Sequence, residues 1–125
     1  MFCIYNNDTI IVKSQFNDDI NLINFDDNIV SLVFTNYDDI TNIEKSINNK
    51  KHNDQHKFKH SKFNCKVDNL PHTLLNLFFG YYFNYTVDNL PPTLLNLSFG
   101  SHFNQLVNNL PPTLLNLTFG NNFNQ

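Results

Sequence analysis

The chain has 125 residues, 41% hydrophobic and 14% aromatic, with only 15% charged and a net charge of −3. That length suits one domain or one short array of small units, and the apolar content excludes a chain disordered throughout. The acidic balance and a pI near 5.9 exclude a broadly basic nucleic-acid binder, and no run approaches the roughly 18 apolar residues of a membrane helix.

The opening residues Met1-Phe2-Cys3-Ile4-Tyr5 are too short and lack the basic start of a secretory leader. Cys3 and Cys65 are the only cysteines, which is no disulfide framework. Free thiols in a reducing compartment are the simpler reading, and they place the protein inside a cell, in the cytoplasm.

Charge is sorted along the chain. Residues 1–44 carry eight acidic groups against Lys13 alone. Residues 45–66 carry seven lysines against Asp54, and residues 67–125 have only Asp68 and Asp88. Three regions follow: an N-terminal segment 1–44, a basic polar linker 45–62, and the remainder, 63–125. Opposite charge is expected to fold the linker loosely onto the acidic segment, because exposed ion pairs contribute only about 0–1 kcal/mol each.

Within the N-terminal segment, Phe16-Asn17 is followed by Ile20 and Ile23, and then by Ile29, Val30, Leu32 and Phe34. Those offsets are a degenerate version of a pattern that is plain further on. Residues 15–44 therefore read as one or two eroded coils serving as a cap, with an unrelated small α/β segment as the alternative.

From Phe63 onward the sequence repeats every 20 residues: FNCKVDNLPHTLLNLFFGYY, FNYTVDNLPPTLLNLSFGSH and FNQLVNNLPPTLLNLTFGNN, with Phe123-Asn124-Gln125 opening a fourth unit. Adjacent units agree at 14 of 20 positions. In the middle unit, Leu95, Leu97 and Phe99 alternate with Asn96 and Ser98, the period of a strand with one buried face. Gly100 is expected to turn the chain with a positive φ. Pro91-Pro92 forbids a helix and favours an extended or turn entry.

So small a unit cannot bury enough apolar surface to offset the entropy of its own ordering, so the units must stack. The fold expected is mainly β or α/β: a short parallel solenoid with one strand per repeat. Stacking would align Phe83, Phe103 and Phe123 into a spine. It would also align Asn64, Asn84, Asn104 and Asn124 into one row, and Asn76, Asn96 and Asn116 into a second on the outward face of the sheet.

These units resemble FNIP repeats. The resemblance rests on Phe83-Asn84, on Val87-Asp88-Asn89-Leu90-Pro91 and on Leu97-x-Phe99-Gly100, with counterparts one period either side; Leu-Pro replaces Ile-Pro. It implies a protein of the kind found in giant amoeba viruses and social amoebae, acting in the host cell if viral. It also implies a leucine-rich-repeat-like solenoid with the parallel sheet on its concave side. Some members carry an N-terminal F-box, but residues 1–45 are too strand-like and Asn/Asp-rich to form one.

Candidate chemistry is sparse. His52, His56 and His60 would share one helix face and are weak candidates for a metal site, but the segment KKHNDQHKFKH has poor helix signals and a repelling charge. Cys65, Asp68 and His72 fall in one unit, yet Asp68 matches Asp88 and Asn108, and His72 stands where Pro92 and Pro112 stand. Repeat drift explains them better than a nucleophilic site. No phosphate loop or zinc-protease motif occurs.

No catalytic residue and no cofactor is therefore expected. The expected function is a non-catalytic protein–protein interaction scaffold, bound to a protein partner through Asn76, Phe78, Tyr81, Tyr82, Asn96, Ser98, Asn116 and Thr118. Phe78 is an apolar residue where its equivalents are Ser and Thr; with Tyr81 and Tyr82 it either anchors a partner or packs beneath the basic linker. The array also reaches Gln125 without a polar cap, an edge open to self-association. Three alternatives stand: a substrate-receptor-like adaptor in ubiquitin transfer, by family analogy alone; weak metal or nucleic-acid binding through residues 45–66; and an eroded paralogue without its own function.

Overall fold

The computed structural model describes residues 2–5, 7–36 and 60–125. Among the described residues, six strands form one sheet in chain order: β1 (Phe2–Tyr5), β2 (Thr9–Val12), β3 (Ser31–Phe34), β4 (Asn76–Phe78), β5 (Asn96–Ser98) and β6 (Asn116–Thr118). β1 and β2 pair antiparallel, with Tyr5 opposite Thr9. Asn7 turns the chain between them at φ 64, a left-handed conformation that Asn tolerates better than most residues.

From β2 onward every pairing is parallel, and the register carries Ile10, Leu32, Leu77, Leu97 and Leu117 along one line. Five parallel strands in chain order make a leucine-rich-repeat-like solenoid of about four turns. A parallel neighbour requires a crossover; the crossovers from β4 to β5 and from β5 to β6 are extended, Pro-containing returns, and the coil that leads to β3 has a 3₁₀ turn at Ile20–Leu22 and no proline.

The core lies between strand and return. Phe83, Val87, Leu90, Leu94, Leu97 and Phe99 of one repeat join the corresponding residues of its neighbours in a single apolar cluster. Leu97 and Phe99 are buried, as the alternation predicts, but Leu95 is half-exposed and lies outside that cluster. The Leu94 N–H donates to the Pro91 carbonyl across a tight turn. Leu94 is fully buried instead, and the strand's alternation begins only at Asn96.

Phenylalanine rings stack along the solenoid axis. Phe63, Phe83, Phe103 and Phe123 lie 5.9, 6.0 and 6.1 Å apart in near-parallel succession. Phe79, Phe99 and Phe119 stand against them at 3.7–3.8 Å. Phe16 and Phe34 extend the stack beneath Phe63, at 5.9 and 4.2 Å. Such contacts add to simple burial.

The glycines do not serve the purpose the sequence suggests. None has a positive φ. A Cβ on Gly100 would fall on the carbonyl of Gly80, and one on Gly120 on that of Gly100. Backbone passes against backbone at this corner, and only a residue without a side chain lets the coils close to strand spacing.

Candidate interaction surface

Strand alternation turns Asn76, Phe78, Asn96, Ser98, Asn116 and Thr118 away from the core. The asparagines form a continuous row. Asn76 Nδ2 donates to Ser31 Oγ at 2.9 Å, Asn96 Nδ2 to Asn76 Oδ1 at 2.6 Å, and Asn116 Nδ2 to Asn96 Oδ1 at 2.6 Å. All three bonds run the same way along the solenoid. Each amide has two donor hydrogens and two acceptor lone pairs, so capacity beyond the row is left facing outward.

A groove of about 570 Å³ opens over this face, with Asn36, Phe78, Asn96, Ser98, Asn116 and Thr118 among its lining. No lining residue carries a charge. Phe78 is half-buried, in register with Val33 on one side and Ser98 on the other. It supplies an aromatic wall to a neutral amide and hydroxyl floor.

Tyr81 and Tyr82 do not line this groove. They belong to a cluster of four rings at the following turn. His60 stacks on Tyr81 at 3.8 Å, Tyr82 meets Tyr81 edge-on at 4.9 Å, and His102 lies 4.7 and 4.8 Å from the two tyrosines. Of the basic segment, His60 is thus placed against an aromatic ring; His52 and His56 lie outside the described residues, as does most of the segment expected to fold onto the acidic part. Among the described residues no three His, Cys, Asp or Glu side chains converge as metal ligands.

The Cys65 thiol donates to Asn17 Oδ1 at 3.4 Å. It shares a cavity of about 370 Å³ with Asp19, Lys66, Asp68 and Tyr85, while His72 is not part of the lining. Burial pushes the thiol's pKa up, and the carboxylates of Asp18 and Asp19 push it the same way, against the lowering bond from the Asn64 backbone. A nucleophilic cysteine needs the reverse.

Other polar rows hold the scaffold that presents the face. Asn64, Asn84, Asn104 and Asn124 donate their backbone N–H groups to the side-chain oxygens of Asn17, Asn64, Asn84 and Asn104, at 2.8–2.9 Å. Thr73, Thr93 and Thr113 donate their hydroxyls to the carbonyls of Ile29, Leu74 and Leu94, each at 2.7 Å. A Thr at one fixed offset in every unit is the sequence signal of this row. Asn36 carries no such periodic signal: its Oδ1 accepts from the N–H groups of Ser61 and Tyr81 at 2.7 and 3.0 Å.

Comparison with known proteins agrees with this geometry. The family described as FNIP Repeat matches residues 83–122. Among solved structures, the chain is similar to one titled "The crystal structure of CroV588 a novel circular LRR protein structure", a protein of the giant virus CroV. The TM-score is 0.58 at 27% sequence identity, covering 99% of this chain. The chain spans 19% of that protein's length. No curated protein matches. No described helix is long and apolar enough to cross a membrane. Residues 83–122 match FNIP repeats, and the coils stack as a leucine-rich-repeat-like parallel solenoid.

Proposed function

We propose that the chain is a non-catalytic interaction scaffold that holds a protein partner along the outward face of β4, β5 and β6. The observation that carries this reading is the uncharged groove over the one-way asparagine row, walled by Phe78. Spare amide donors and acceptors at fixed intervals match the N–H and C=O groups of a polypeptide, and a half-buried aromatic beside them provides an anchor. Leucine-rich-repeat-like proteins generally mediate protein interactions, and repeat families of this kind are generally non-enzymatic; both generalities support the reading.

The test is affinity capture from cells with the wild-type chain and with Ser98→Arg, which fills and charges the groove without touching the core. A partner captured by the wild type and lost with Ser98→Arg, at unchanged far-UV circular dichroism, is expected. Identical capture by both chains would contradict the groove assignment. Ubiquitin-ligase components among the groove-dependent partners would turn the reading toward an adaptor.

A further inference from the structure

The groove over β4, β5 and β6 has a fixed repeat. Its floor is two parallel rows: Asn76, Asn96 and Asn116, and beside them Phe78, Ser98 and Thr118. Paired strands lie about 4.8 Å apart, so each row spans about 9.6 Å from its first member to its third. Each asparagine commits one Nδ2 hydrogen to the row and has a second to give.

A polypeptide can meet those rungs in three regular conformations. An α-helix bonds its backbone groups internally and offers the amides none of them. A β-strand presents the same face about every 6.8 Å, out of step with the row after one rung. A polyproline II segment rises about 3.1 Å per residue with three residues per turn, so each face recurs about every 9.3 Å, and its carbonyls have no internal partner. One such turn matches the span from Asn76 to Asn116 within about 0.3 Å.

Charge selects the same occupant. No residue lining the groove is charged, so an ionised side chain laid there would lose its water without gaining a counter-charge. A prolyl segment brings neither a charge nor a free N–H. Its rings are apolar bodies that suit the half-buried Phe78, as in other aromatic-walled grooves that take such segments. Its conformation is set before binding, so it loses less freedom than a flexible segment does.

Resting on the groove reading above, we propose that the protein partner enters the groove as an uncharged, proline-rich segment in the polyproline II conformation. The segment lies along the solenoid axis with a prolyl ring against Phe78. Carbonyls three residues apart accept from the spare amide hydrogens of Asn76 and Asn116.

Titration of the isotopically labelled 125-residue chain with capped decaproline, followed by NMR at the side-chain amides, tests it. Saturable shifts at the Asn76, Asn96 and Asn116 amides are expected, with a Kd under about 1 mM. A capped Gly-Ser peptide of the same length, equally uncharged but flexible, should bind at least about tenfold more weakly. Phe78→Ser gives β4 the residue that β5 has at the same register position; it should weaken decaproline about tenfold with unchanged circular dichroism. Equal binding of the two peptides, or decaproline binding indifferent to Phe78→Ser, would overturn the proposal. Inert decaproline, alongside a cellular partner still lost with Ser98→Arg, would overturn the polyproline II assignment and leave the groove standing. Inert decaproline, alongside a partner captured equally by the wild type and Ser98→Arg, would overturn both.

Discussion

Asn84 shows how one residue serves three coils. Its N–H donates to Asn64 Oδ1, and its own Oδ1 accepts from Asn104 N–H and from Gln105 Nε2. Asn84→Ala removes that acceptor and should lower stability by about 1 kcal/mol in urea unfolding. Asn84→Asp keeps the acceptor and should lower it by clearly less; equal losses would show that the amide row contributes through packing alone. Cys65 gives a test by pH. Its pKa is raised by burial and by Asp18 and Asp19, so the native state favours the protonated thiol. The stability this contributes is full below the unfolded-state pKa and is lost as pH rises through the folded-state pKa. In a Cys3→Ser background, alkylation of native Cys65 near pH 8 should be slower than in urea, and the gap should narrow as pH climbs. Native alkylation as fast as in urea would contradict the assigned environment.

At the scale of the coil, the decisive contact is backbone on backbone. Gly100→Ala places a methyl group on the Gly80 carbonyl and should cost about 3 kcal/mol, the upper range for overpacking, read as a shift in the urea midpoint. A change within a few tenths of a kcal/mol would mean that the coils do not approach as described. Much of the coil was legible in the residues themselves. Leu97 and Phe99 face inward, Asn96 and Ser98 outward, and the phenylalanine and asparagine rows follow from the 20-residue period. What escaped depends on partners far along the chain. Gly100 reads locally as a turn residue, because its real constraint lies 20 positions away. Asn36 acts on Ser61 and Tyr81, 25 and 45 residues on, so no local motif marks it. Leu95 departs from the alternation because it stands one residue before the strand, at the end of the proline turn. Phe78 and the Tyr81–Tyr82 pair, adjacent in sequence, separate because a corner lies between them.

For the whole molecule, the exposure of equivalent residues reports how far stacking extends. Leu32 and Leu77 are fully buried, Leu97 is 1% exposed and Leu117 40%; each coil is completed by the one that follows it. That is the behaviour of a one-dimensional assembly, in which stability resides at coil interfaces more than within coils. The central claim is therefore the parallel, in-register pairing of strands 20 residues apart. Solution NMR with assigned side-chain amides tests it most directly. Nuclear Overhauser contacts are expected between Asn76 and Asn96, between Asn96 and Asn116, and between Phe78 and Ser98, and none between Asn76 and Asn116. Contacts pairing Asn76 with Ser98 and Phe78 with Asn96 in place of these would establish antiparallel strands and contradict the solenoid.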